Sequence, residues 1–488
     1  MPSVVEEQMR WGRRCFLGQS AAGMGAAALA SLLPSELLAA DGGLPGAARS
    51  AVANAPGVNG FPQFAPRARR VIYLYMSGGP SQFETFDYKP KLAAMDGQPM
   101  PESITRGQPI AQLQGQSLKC LGPQIKFQKH GESGQEVSDF LPWTAKLADD
   151  ITIIRSMTTD QINHDPAHTV MNTGTSISGR PSMGSWVQYG LGSESQNLPG
   201  FVVLTSFGGR NPQPLSSRQW HSGFLPSRYQ GVLFNSQGDA VHYLGNPNGG
   251  SSQRQRRLID AVGELNTLQN EAAYDPEVET RIAAYEMAFR MQTSVPGLLD
   301  VSDEPQHVLD MYGTAGADGS FAANCLLARR MAERGVRFIQ LYHRDWDHHG
   351  DLVPYMNTCC QHTDRATWAL LTDLKQRGML DDTLIVWGGE FGRTPMFQGK
   401  GKLPGRDHHI KGFSMWMAGG GVKRGLTYGA TDEFGYNAVE NVCHARDLHA
   451  TLLHLLGIDH RRFTFKHQGL DFKLTGVQPA RVLEDILA

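Results

Sequence analysis

Short apolar runs, each bounded by glycine, proline or acidic residues, recur along the 488-residue chain. Those at 71–76, 147–154, 201–204, 336–342, 383–387 and 412–418 are rich in β-branched or aromatic residues and too short for typical helices. They predict strands buried on both faces, the pattern of a parallel sheet. Between them, helical periodicity covers 183–191 behind an N-cap at Ser182, and 276–292 with Ile282, Tyr285, Met287 and Met291 in core positions. It returns at 321–334, ended by Gly335, at 363–377 and at 445–456. This alternation predicts an α/β fold, a large mostly parallel sheet flanked by helices on both faces. Residues 205–275 are dominated by Gly, Asn, Gln and Ser and read as a loop-rich insertion. The domain is expected over 70–478, with a tail at 479–488.

Chemistry collects where three of these strands end, which is where open α/β sheets place ligands. The first runs into Ser77-Gly78-Gly79-Pro80-Ser81, with Glu84 and Asp87 close behind. The fourth runs into His343-Arg344-Asp345-Trp346-Asp347-His348-His349, a density of ionisable groups hard to explain as a solvated face. The fifth opens the stretch 382–409, which carries Glu390 and Arg393 and then Asp407-His408-His409. His164 and His168 are four apart and share a helix face if Pro166 lies in the first turn. Structural readings compete at each place: a plain βα turn, a salt bridge to Arg393, a surface His pair. Asp345 and Asp347 are alternatives as ligands, as are His408 and His409. A cluster of imidazole and carboxylate without thiolate suits Zn²⁺, Mn²⁺ or a harder divalent ion.

Composition narrows the partners. With 40% hydrophobic and 19% charged residues and a formal net charge of −2, nothing points to nucleic acid or a membrane surface. The N-terminus carries Arg13-Arg14-Cys15-Phe16-Leu17-Gly18 and then a short small-and-apolar stretch, a twin-arginine export signal over 1–40 followed by a linker over 41–69. The expected location is periplasmic or extracytoplasmic, with no integral membrane span once the signal is removed. Cys120, Cys325, Cys359, Cys360 and Cys443 remain, an odd number without metal-type spacing, which leaves room for one disulfide.

The run Asp382-Thr-Leu-Ile-Val-Trp-Gly-Gly-Glu-Phe-Gly resembles the strand-plus-acid motif of sulfatases and other alkaline-phosphatase superfamily members. Together with Trp346-Asp347-His348-His349-Gly350, Gly405-Arg-Asp-His408 and Asp447-Leu-His-Ala-Thr-Leu-Leu-His, it is closer still to the twin-arginine-exported "domain of unknown function 1501" proteins. The resemblance implies an alkaline-phosphatase/sulfatase-like sandwich and one or two divalent ions (Zn, Mn, Ca or Mg). The implied substrate is a small anionic, phosphorylated or sulfated ester. It places Asp347, His349 and His408 on one metal and Glu390 on a second. Ser81 stands near the place of the first-strand acid, with Glu84 and Asp87 as substitutes, and Phe391 where many members carry a His. His164 falls at the position of the sulfatase nucleophile, and three readings follow for it: phosphoryl acceptor, metal ligand or proton donor, or remnant of an inactive site. His168 and Arg393 are expected to orient the anion. The rival to a hydrolase is a catalytically silent, metal-stabilised binding or structural protein on the same fold.

Overall fold

The structure, a computed structural model, describes residues 57–208, 213–238, 241, 252–273 and 276–488. The predicted signal and most of the linker lie outside the described residues. The central sheet is built from β1 (Arg70–Met76), β2 (Ile151–Thr158), β3 (Phe201–Thr205), β4 (Val232–Phe234), β5 (Phe338–His343), β6 (Thr383–Gly388), β7 (Phe413–Ala418), β8 (Leu426–Tyr428) and β9 (Cys443–His444). Its order is β8-β2-β7-β6-β1-β5-β3-β4, and β9 joins the far end of β2. Every pairing is parallel except those of β7, which runs against both β2 and β6. The expected α/β architecture is therefore present, with one strand reversed.

Alternation along β1 shows why both faces are covered. Ile72, Leu74 and Met76 enter one hydrophobic cluster, while Val71, Tyr73 and Tyr75 enter the other. The first cluster is closed by α4 (Pro276–Leu299), α5 (Gln306–Tyr312), α6 (Phe321–Glu333) and α7 (Leu352–Gln376). The second is closed by α1 (His164–Thr173), α2 (Met183–Leu191) and α8 (Ala445–Leu455). Register aligns the exits of the three central strands, with Met76 beside His343 and Tyr75 beside Gly388. The three polar clusters predicted at strand ends thus start from one line on one edge.

Several boundaries differ from the sequence reading. The 205–275 stretch contributes the edge strand β4 and the 22-residue helix α3 (Ser252–Ala273). That helix pairs with α4 in part through Arg256 and Glu286, 2.8 Å apart, and its sequence carries Leu258, Val262 and Leu265 at helical spacing. Helix α7 starts at Leu352, well before residue 363. Tyr285 is half exposed, not core. The end of the linker is docked, with Arg67 N–H bonded to Leu455 O at 2.8 Å, and Leu483 and Ile486 of the supposed tail are buried in the second cluster. Cys120, Cys325, Cys359, Cys360 and Cys443 are all buried free thiols, so no disulfide forms among them.

Two buried polar features give tests of the fold. Glu304, nearly buried, receives Arg329 at 2.6 Å and also Arg330, and Arg329 reaches Asp373 at 2.9 Å. Glu304→Gln removes the acid shared by both guanidiniums but leaves Arg329 with Asp373 and Glu333 and Arg330 with Asp303, so it is expected to cost about 2 kcal/mol, read from the denaturant midpoint. On the other face, His449 of α8 donates from Nε2 to Met171 O of α1 at 2.8 Å. Burial pushes its pKa down to about 4. The unfolded chain takes up a proton near 6.5 that the folded chain refuses until about 4. Stability therefore falls as pH drops through that window. His449→Gln, which keeps a donor, should flatten this slope in a pH series of thermal melts.

Candidate metal centre

At the exit of β1, Gly78 sits at φ 123°, and a Cβ there would meet Asp347 N at 2.6 Å and Trp346 C at 2.7 Å. Only glycine lets the two strand exits come this close. Asp345 adopts φ 79°, uncommon for a non-glycine residue. Around that bend Trp346 is fully buried, whereas the Asp347 side chain keeps 11% of its exposure. From the other side, Gly392–Arg393 and His408–His409 pair as a short antiparallel ladder, which sets Arg393 opposite His408. Residues 394–407 form the connection of this hairpin.

These elements bring three imidazoles to one carboxylate oxygen. Asp347 Oδ1 lies 3.2 Å from His164 Nε2, 3.0 Å from His349 Nε2 and 3.2 Å from His408 Nε2. Each ring is tied at its other nitrogen to an acceptor: His408 Nδ1 to Ile162 O at 2.8 Å, His349 Nδ1 to Gln398 Oε1 at 2.6 Å, and His164 Nδ1 to Glu390 Oε1 at 2.6 Å. A carbonyl or carboxylate oxygen can only accept, so Nδ1 carries the hydrogen in every case. The rings then turn three Nε2 atoms to one carboxylate oxygen, which Arg393 Nη2 also reaches at 2.6 Å. Imidazole lone pairs aimed at one anionic oxygen form an arrangement that a further cation among them would satisfy. The donor set of His164, Asp347, His349 and His408 fits a divalent ion, with all ligand atoms within 4.8 Å of one another. The backing acceptors are the partners that orient metal-bound histidines.

Charge within the cluster follows from contacts. Burial alone would raise Asp347, but the Arg393 guanidinium at 2.6 Å and the three imidazoles hold it well below the usual carboxylate range. Burial pulls His164 down, yet its bonds to Asp347 and Glu390 outweigh that and raise it. Burial pushes His408 down to about 4. Phe391 stacks against His164 and His408, with ring centroids at 4.9 and 4.6 Å, and forms an apolar side wall.

The other expected site residues take different places. Glu390 is fully buried, accepts Gly78 N–H at 3.0 Å and backs His164, so it supports the Asp347 group from behind. His168 lies 3.5 Å from the second Glu390 oxygen and bonds Tyr75 OH at 2.9 Å, with Ser77 Oγ at 3.4 Å. Burial takes it down to about 4, leaving it neutral and without the charge to hold an anion. Arg393 is also corrected: its side chain is 1% exposed and spends its donors on Gly79 O, Gly78 O, Arg406 O, Trp346 O and Asp347. It positions Asp347 and has no face for substrate. Ser81 donates to Glu84, which is locked by Arg406 at 2.7 Å, and Asp87 accepts from Thr431 and pairs with Lys89 at 3.1 Å. Neither Ser81 nor Asp87 joins the cluster. His409 Nε2 turns to Tyr436 O, which leaves His408 as the ligand candidate, and Asp347 takes the same role over Asp345.

Sequence reasoning missed Gln112, Gln398 and the Ile162 carbonyl. Gln112 Nε2 stands 3.2 Å from His349 Nε2, on a loop pinned by Asp407 Oδ2 accepting from Gln112 N at 2.6 Å and Leu113 N at 3.0 Å. Glutamines in aperiodic loops give no signal that could have found them.

The chain belongs to the family described as "Protein of unknown function (DUF1501)", whose profile matches residues 68–487. No curated protein matches it. Among solved structures it is similar to a phosphonate monoester hydrolase from Silicibacter pomeroyi, at 12% identity, 71% of each chain covered and a TM-score of 0.31. It is also similar to the PsFucS1 sulfatase from Pseudoalteromonas sp., at 12% identity, 81% and 68% covered and TM-score 0.32. A protein in the alkaline phosphatase superfamily from Vibrio parahaemolyticus matches at 12% identity, 89% and 73% covered and TM-score 0.35. At these values the likeness carries no argument about chemistry.

The His164–Glu390 bond gives a direct test. Glu390→Gln keeps the size but removes the charge behind His164, and is expected to weaken Zn²⁺ or Mn²⁺ binding about 10- to 100-fold. Equilibrium titration with a competing chelator reads the change, and circular dichroism checks that the fold persists. Unchanged affinity would mean that His164 is not a ligand.

Proposed function

We propose that the chain is an exported, metal-dependent hydrolase of phosphate- or sulfate-type esters. The observation that carries this is the convergence of three Nε2 atoms on Asp347 Oδ1 at the rim of the sheet. His164, Asp347, His349 and His408 hold one ion; three imidazoles and a carboxylate favour Zn²⁺ or Mn²⁺ over Ca²⁺ or Mg²⁺. A second group, His164, His168 and Glu390, also comes within ligand reach, but it shares His164 with the first and its His168 is bonded to Tyr75, while Ser81 and Asp87 are engaged elsewhere. When bound, the ion polarises an ester oxygen and lowers the pKa of water beside it.

The residues around it supply the rest. Glu390 and Gln398 fix two rings in the tautomer that leaves Nε2 free, and Arg393 holds the carboxylate in place. Among the readings open for His164, its geometry supports the ligand role, because its Nε2 is placed as those of His349 and His408 are. Phe391 keeps one side dry, while the His164, Asp347 and His349 side chains retain 14%, 11% and 15% exposure, enough for a substrate to approach from that side. The twin-arginine motif supports export of the folded, metal-loaded protein. Among the described residues no helix is long and apolar enough to cross a membrane.

A second reading, a metal-stabilised binding protein without turnover, is favoured by the loss of both expected anion-orienting groups, His168 and Arg393. Metal analysis of protein purified without chelator, with a screen of aryl phosphates, phosphodiesters and aryl sulfates, separates the two. Bound metal with ester turnover that Asp347→Ala reduces at least about 10³-fold is expected of the hydrolase. Bound metal with no turnover above Asp347→Ala leaves the binding protein, and metal content unaltered by Asp347→Ala rejects the ligand set.

A further inference from the structure

Asp165 follows His164 on α1 but points away from the metal cluster, where its Oδ2 meets Arg218 Nη1 at 3.1 Å. Arg218 belongs to the short turn Ser217–Gln219, which packs against α1. Beside it is a concavity of about 180 Å³ lined by Gly179, Arg180, Ser216, Ser217, Arg218 and His221. The lining holds two guanidinium groups, an imidazole and two hydroxyls, and no carboxylate. Arg180 is held in place by stacking, its guanidinium 4.0 Å from the Phe472 ring centre and 5.6 Å from that of Phe224. A guanidinium stacked on rings keeps its in-plane N–H donors for a ligand. His221 Nδ1 accepts from Gly223 N–H at 2.8 Å, so its hydrogen sits on Nε2, a further donor.

We infer that this concavity is a second anion subsite, and that the substrate is an ester bearing at least two anionic groups. One group is presented to the metal cluster and another is held by Arg180, Arg218 and His221, a site tied to α1 through the Arg218–Asp165 bond beside His164. The assignment of the reacting group rests on the hydrolase reading; the subsite itself does not. Cations near the metal cluster cannot do this work, since Arg393 and Arg406 are buried and bonded to protein acceptors. Tetrahedral oxyanions of sulfate and phosphate present the same chemistry to a guanidinium fork, so a polysulfated saccharide and a bisphosphorylated sugar are the two sources to separate.

The test uses the full-length, metal-loaded protein and measures binding by calorimetry for inorganic sulfate, inorganic phosphate, a disulfated disaccharide and a hexose bisphosphate. The preference for the doubly charged over the singly charged ligand of the same chemistry is expected to be at least about tenfold, to weaken with salt, and to fall to about threefold or less in Arg180→Gln/Arg218→Gln. The arm with the larger preference names the source. Asp165→Asn, which frees Arg218 of its carboxylate, should shift the preference the opposite way. A preference that the double variant leaves intact overturns the subsite. Binding is read apart from turnover, so failure of every ester in the activity screen would remove the hydrolase reading and leave this result standing, and the converse also holds.

Discussion

The structure depends on placing one carboxylate, Asp347, in a largely buried position with four cationic or lone-pair partners around a single oxygen. A buried anion must be compensated. Arg393 supplies a permanent charge, and three histidines are turned so that their basic nitrogens face the same point. The arrangement needs strand exits that nearly touch, which Gly78 permits, and a hairpin that returns His408 beside Arg393. Glu390 then closes the circuit from behind, buried and bonded to both Gly78 N–H and His164. Sheet order, glycine placement and tautomers all serve that one point.

Much of this was legible in the sequence because it is carried by local pattern. Apolar runs gave six strands of the sheet, and three of those strands, β1, β5 and β6, are adjacent and parallel with level exits. Asp347, His349, His408 and His164 were readable because ionisable residues crowd at those exits. Edge strands β4, β8 and β9 were not, since two- or three-residue pairings leave no periodicity. Helix α3 was missed because the Gly, Asn, Gln and Ser around it outweighed the helical spacing of Leu258, Val262 and Leu265.

What the sequence could not supply was the direction of side chains. Glu84 and Asp87 lie a few residues past β1, in the right neighbourhood, yet Glu84 is claimed by Arg406 and Asp87 by Thr431, each from over 300 positions away, and Ser81 is spent on Glu84. Long-range partners decide which of several nearby acids remains free, and nothing local records them. The same holds for Gln112 and Gln398, whose value lies in touching His349 and in no property of their own neighbourhoods.

The fate of Arg393 and His168 carries a more general physical lesson. Sequence assigns an anion-binding role to any Arg or His near a metal ligand, but such a role requires donors left unspent and a charge retained at the working pH. Full burial works against both, because a buried guanidinium must be satisfied by protein acceptors and a buried imidazole is held neutral. Arg393 and His168 obey this rule and so become part of the scaffold. Arg180 differs: aromatic rings bear on its face, and it lines an open concavity. The anion subsite proposed at Arg180 follows the same rule, resting on a ring-stacked cation outside the metal cluster, while the buried cation inside it serves geometry.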